Sequence, residues 1–159
     1  MYADSGTYRF TLAGLPDPEL DPQFYRGVPA RRFAAWLIDV AIILCVGVPV
    51  ALLFGVLTLG IGFMIFPLIL AAIGFAYRVG TISDRSATWG MRVMGIEFRR
   101  GDGQRFDFVT ALGHVAIYTL SMAFVLVQLV SCLAMLGTRY GQGLPDIVLR
   151  TTAINRPVD

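Results

Sequence analysis

The sequence predicts an all-α membrane protein: a helical hairpin, then a third span or re-entrant helix, with a small polar cytoplasmic loop that reads as a short β-hairpin. Two observations carry this. Of 159 residues, 56% are hydrophobic and only 15% charged, against about a quarter charged in an ordinary soluble domain. The apolar residues also gather into three runs, about residues 33–56, 61–79 and 109–136, each long enough as a helix to approach the roughly 30 Å of a bilayer core.

Residues 1–30 come first. They hold Asp4, Asp17, Glu19 and Asp21 with Pro16, Pro18, Pro22 and Pro29, and their apolar residues follow neither a helical nor a strand period. The segment reads as a polar tail ahead of a membrane domain at 31–155, with 156–159 as the C-terminal end. It is unlike a secretory signal, because the first apolar run starts only after Arg32, is longer than a signal's apolar region and is followed by no small-residue cleavage site.

The run at 33–56 contains one charge, Asp39. Together with the run at 61–79 it is too long for a single crossing, and Gly55, Gly60 and Gly62 mark a tight turn between two helices. From residue 78 to residue 107 the composition reverses. Arg78, Arg85, Arg92, Arg99, Arg100 and Arg105 sit among acids, and Arg100-Gly101-Asp102-Gly103 is a turn sequence between 93–98 and 105–108, which predicts a short β-hairpin or at least a polar connection. The third run is long enough for one tilted crossing and short for two complete ones.

Arginine placement orients these elements. The tail has Arg9, Arg26, Arg31 and Arg32, the first turn has no charge, and the central loop is arginine-rich; by the positive-inside rule, tail and central loop are cytoplasmic. A single third crossing sends the C-terminus outside, against the mild bias of Arg139, Arg150 and Arg156. A re-entrant third segment returns it to the cytoplasmic side, where Thr151 to Asn155 has central strands to pair with. Both remain open.

An acid near the bilayer centre costs about 3 kcal/mol on insertion scales, so Asp39 needs a partner. With the turn centred near residue 59, position 39 lies opposite position 79, which predicts an ion pair between Asp39 and Arg78. Arg31 and Arg32 stand at the membrane boundary, where arginine snorkels toward lipid phosphates; Arg31, Trp36 and Trp89 are read as interfacial. His114, the only histidine, lacks companions at ligand spacing and reads as a hydrogen-bonded interfacial residue rather than a metal ligand or general base. Cys45 and Cys132 fall inside apolar runs and are expected to stay reduced and unpaired. No nucleotide loop, nucleophile elbow, zinc motif or haem motif is present. The sequence therefore predicts no enzyme, no metal and no cofactor. With a net charge of +2 and no interleaving of aromatic and clustered basic residues, it predicts no nucleic acid either.

Arg31-Arg32-Phe33-Ala34-Ala35-Trp36-Leu37-Ile38-Asp39 resembles the opening signature of RDD-family membrane proteins. Thr88-Trp89-Gly90-Met91-Arg92-Val93-Met94-Gly95-Ile96 with Asp102-Gly103 resembles the family's central stretches, and Gly143-Leu144-Pro145-Asp146 with Thr151 its closing one. The ordered set covers about residues 26–155. The resemblance implies that Arg32, Asp39 and Asp146 are the name-giving residues. Met91 stands where the family usually has Lys, His114 where it often has Arg, and Pro145 where it has His. The family has been proposed to transport ions.

The expected function is that of a small non-enzymatic, multi-pass protein of a bacterial plasma (inner) membrane. It would work in the lipid bilayer by contact, as an accessory or assembly subunit beside a larger membrane complex or through self-association. Gly47, Ala72, Ala76 and Gly80 permit close helix approach. The alternative is an oligomeric proton-coupled cation transporter using Asp39.

Overall fold

The computed structural model describes residues 14–156; Asp4 and Arg9 of the tail, and residues 157–159, lie outside the described residues. Helix α1 (Val28–Leu57) starts where Gly27 takes a φ of 74°, a conformation open to glycine. Pro29 then sits in the first turn, where a missing N–H leaves no helical bond unmade. The buried positions Ala35, Asp39, Ile43, Gly47, Ala51 and Gly55 recur at every fourth residue, so a single seam of α1 turns inward and the rest looks out.

That seam packs on α2 (Phe66–Arg85) and on the segments after it. A Cβ added at Gly47 would lie 2.6 Å from Leu70 Cδ2, and one at Gly55 would lie 2.3 Å from the Phe63 ring. The two helices approach this closely because those positions have no side chain. Thr58 closes the turn: its hydroxyl donates to the Phe54 carbonyl at 2.7 Å and accepts from the Gly62 N–H at 2.7 Å. A 3₁₀ turn at Ile61–Ile65 delays α2 to Phe66. The helix then continues beyond residue 79 to Arg85, where Ser86 at φ 56° stops it.

Helices α1 and α2 are long and apolar enough to cross a membrane. Only 17% and 11% of their most apolar stretches are buried within the protein, so their flanks are not a protein core.

Beyond α2 lie a short helix α3 (Trp89–Val93), strand β1 (Ile96–Arg100), helices α4 (Phe108–Ala123) and α5 (Val125–Gly137), a short helix α6 (Leu144–Leu149) and strand β2 (Thr151–Asn155). The third apolar run is thus two helices. Phe124 between them is extended, with φ −121° and ψ 102°, and the Ser121 hydroxyl donates to the Gln128 side-chain carbonyl at 2.9 Å across the break. The chain then doubles back. Gly143 and Leu144 reach Ser131 of α5, and α6 packs on α4. At roughly 24 and 20 Å by their residue counts, neither helix matches a bilayer core of roughly 30 Å.

The central β-hairpin is not formed. Arg100 and Gln104 do make the local turn, with the Arg100 N–H on the Gln104 carbonyl at 2.9 Å, but residues 105–107 form no strand. The partner of β1 is β2, antiparallel, with Ile96 opposite Asn155 and Arg100 opposite Thr151. The reason is burial: pairing with β2 seals Ile96, Phe98 and Ala153 into the core, while the Phe106 N–H is taken by the Ser86 hydroxyl at 2.7 Å.

From Gly14 onward the polar N-terminal segment is held against the fold. The Gly14 N–H donates to the Gly101 carbonyl at 3.0 Å. The Asn155 amide donates to the carbonyls of Gln23 and Arg26, and Arg139 pairs with Asp17 and Glu19. The core, with Val28, Ile82, Met91, Ile96, Phe98 and Val115 at its centre, therefore lies at the polar end of the α1–α2 hairpin.

Candidate functional site

Two buried carboxylates organise that polar end. Asp146 enters from the first turn of α6 and is 0% exposed. Its Oδ2 accepts from Arg32 Nη1 at 2.6 Å and from the Gly143 N–H at 3.1 Å. Its Oδ1 accepts from His114 Nε2 at 2.9 Å and from the Thr151 hydroxyl at 3.2 Å. Four donors on two oxygens use about all of a carboxylate's acceptor positions. Burial by itself would raise the carboxyl's pKa, but the Arg32 guanidinium and the His114 ring outweigh it and hold Asp146 below the ordinary carboxylate range. Arg32 also lies over the Phe98 ring, 5.2 Å from its centroid.

His114 is not interfacial. It is 4% exposed and packs beside the stacked pair of Phe98 and Phe106, 4.6 and 5.5 Å from their ring centroids. From there its Nε2 is directed at Asp146 Oδ1.

Asp39 enters from α1 and is 4% exposed. Its Oδ1 accepts from the Tyr77 hydroxyl at 2.7 Å and from the Gly90 N–H at 2.9 Å, and its Oδ2 accepts from the Thr88 hydroxyl at 2.7 Å. The Thr88 oxygen in turn accepts from the Met91 N–H at 3.2 Å, capping α3. All of these donors are neutral. The backbone can come this near only because residue 90 is glycine, since a Cβ there would lie 2.2 Å from the Ala35 carbonyl oxygen.

The expected pair between Asp39 and Arg78 is absent. Among the described residues Arg78 pairs with no carboxylate; its guanidinium lies over the Tyr118 ring, 5.1 Å from the centroid. The level was right and the facing was not. Successive helical residues point about 100° apart, so Tyr77 meets Asp39 and Arg78 is swung toward α4.

The remaining boundary residues are placed as follows. Trp36 donates from Nε1 to the Tyr118 hydroxyl at 2.9 Å. Trp89 is 56% exposed with the Arg92 guanidinium over its ring. Arg31 donates to the Met94 carbonyl at 3.3 Å. Cys45 and Cys132 are free thiols on exposed surfaces. Among the described residues no group of three His, Cys, Asp or Glu side chains gathers to hold a metal.

A cavity of about 100 Å³ lies between the two carboxylate clusters, bordered by Arg32, Asp39, Arg78, Met91, His114 and Tyr118. Met91 puts a thioether on this wall and closes it with apolar surface. Sequence reasoning missed Tyr77, whose hydroxyl was hidden in an apolar run. It had Thr88, Gly90 and Thr151 only as parts of a family pattern; the signal available was the Thr88-x-Gly90 opening of a helix.

Long apolar helices with uncovered flanks, gathered at one end by buried charged and polar side chains, are the features of a membrane protein. The chain belongs to the RDD family, whose profile matches residues 26–150. No curated protein and no solved structure matches it significantly.

Proposed function

We infer that this protein is a non-enzymatic accessory or assembly subunit that docks by contact on a larger complex in the bacterial plasma membrane. In this reading α1 and α2 cross the bilayer, α4 and α5 dip in and return, and the arginine-rich end bearing both strands faces the cytoplasm. The observation that carries it is the contrast between a filled interior and an open exterior. Asp146 is saturated by the protein's own donors and Asp39 nearly so. The flanks of α1 and α2 are left for lipid or for another protein, and Ala72, Ala76 and Gly80 lie exposed four residues apart on α2, a spacing that favours close helix contact.

The second reading is an oligomeric proton-coupled cation transporter. One observation favours it: Asp39 has three donors on about four acceptor positions and borders the cavity. Isolation of the tagged protein from native membranes in mild detergent separates the two. A stoichiometric larger partner supports the accessory role; a pure homo-oligomer that moves cations in liposomes with a pH dependence replaces it with transport.

A further inference from the structure

A second cavity, about 270 Å³, lies farther along the same helices. It belongs to neither carboxylate cluster. Its floor is Gly74 of α2, where an added Cβ would meet Ile43 Cδ1 at 3.4 Å and Arg78 Nη1 at 3.6 Å. Its depth is lined by Leu44, Leu70, Ala71 and Met122. Along all three helices the polarity runs the same way, with Trp36, Arg78 and Tyr118 at the end nearest the sheet and aliphatic residues at the end toward the hairpin turn. Leu44 and Met122 are 44% and 39% exposed, so the groove opens sideways, in the direction from which hydrocarbon would enter.

The cation at its mouth has no carboxylate within ion-pair distance among the described residues. The Arg78 guanidinium lies over the Tyr118 ring, 5.1 Å from its centroid. That ring is itself fixed by the Trp36 N–H. An arginine held over an aromatic ring, above an apolar slot and short of an anion, matches an amphiphile with a negative head and a hydrocarbon tail.

We propose that this groove seats an anionic phospholipid, its phosphate on the Arg78 guanidinium and the upper part of one acyl chain between α1, α2 and α4. The volume is slightly below the roughly 300 Å³ lower bound of small-molecule pockets, which suits one chain segment rather than a whole lipid. The inference needs only that the helices lie in a bilayer and is independent of whether the protein is an accessory subunit or a transporter.

Trp36 lines the groove and supplies the probe. In a Trp89→Phe background it is the sole tryptophan, and the protein is reconstituted in phosphatidylcholine vesicles with a small, equal fraction of either phosphatidylglycerol or phosphatidylcholine brominated near the top of the acyl chain. The anionic brominated lipid is expected to quench Trp36 about fivefold more effectively, the scale of one arginine's attraction to an anionic surface. Arg78→Gln brings that ratio to one and Arg78→Lys keeps most of it. Ala71→Phe, at an exposed position, fills the slot and lowers the ratio with Arg78 in place. Equal quenching by the two lipids in the parent overturns the proposal, as does a preference that survives Arg78→Gln. Should Arg78→Gln fail to reconstitute, an unchanged ratio in Ala71→Phe overturns it instead.

Discussion

Asp39 and Asp146 are the same residue, nearly equally buried and at the same end of the molecule, yet they are accommodated by opposite means. Asp146 is neutralised by charge: Arg32 comes from a helix 114 residues earlier, and the His114 ring and two further donors complete the shell. Asp39 is accommodated without an opposite charge, by two hydroxyls and one backbone N–H. A carboxylate paired with a buried cation depends strongly on that one partner. One shared among neutral donors spreads its dependence over several bonds of about 0.5 to 3 kcal/mol each. The two clusters should therefore fail differently.

The largest effect is expected from Arg32→Met, which leaves Asp146 buried without its main counter-charge. The loss should be about 3–5 kcal/mol, seen as a large fall in unfolding temperature in detergent. Its pH dependence follows from the direction of the shift. In the parent the Asp146 pKa is depressed, so its contribution is fully present above the unfolded carboxylate value of about 3.9 and disappears as pH falls through the folded value. In the variant the guanidinium's part of that depression is gone, so burial counts for more and the carboxyl's pKa moves upward. The gap between variant and parent should accordingly narrow on acidification through about pH 4; a gap that widens there would show that Arg32 does not neutralise Asp146.

Gly90→Ala attacks the other cluster through the backbone. The added methyl cannot fit against the Ala35 carbonyl, so α3 must move and take a donor away from Asp39. About 3 kcal/mol, the upper part of the overpacking range, is expected in the same unfolding measurement. Normal stability would mean that α3 is not held where the Asp39 cluster requires it.

Asp39→Asn tests neutral accommodation directly. The amide keeps a carbonyl for Tyr77 and Gly90 and gives Thr88 a mismatched N–H, so a loss of about 1–2 kcal/mol is expected, smaller than that of Arg32→Met. Normal abundance combined with abolished cation flux in liposomes would instead move Asp39 to a transport role. The smallest effect belongs to Arg78→Gln, with below about 1 kcal/mol from a ring contact. Its coupling to Asp39→Asn in a double-mutant cycle should be near zero, whereas Arg32 and Asp146 should couple strongly. A large coupling at 39 and 78 would restore the ion pair that the geometry disfavours.

How legible this was in the sequence depended on the range of the interaction. The first two helices follow from composition and from the glycines between them. The depth of Asp39 followed from counting residues about the turn, but its partner did not, because counting gives height along a helix and not the direction of a side chain. The β1 partner was harder. A local turn at Asp102-Gly103 suggested a hairpin, while the strand that pairs with Ile96 lies about sixty residues away and was visible only as one option for a re-entrant third segment. The break at Phe124 has neither glycine nor proline to announce it. Its only trace is that Ser121, Gln128 and Ser131, all within an apolar run, turn out to bond to one another's neighbourhood or to the returning chain. The joining of Arg32 to Asp146 has no local signal: the family resemblance singled out both residues but did not pair them.

That long reach has a consequence in time. Ribosomes extend a chain at about 5–20 residues per second, so Arg32 emerges roughly 6 to 23 s before Asp146. During that interval α1 has to settle with a cation at its end and no acid to meet it, and lipid phosphate is the partner within reach. The last strand closes the sheet only after α6 has delivered Asp146. A nascent chain stopped anywhere between α5 and α6 would hold its long apolar helices complete and its polar end unlocked, presenting an uncompensated Arg32 and the unpaired edge of β1 to whatever proteases it meets.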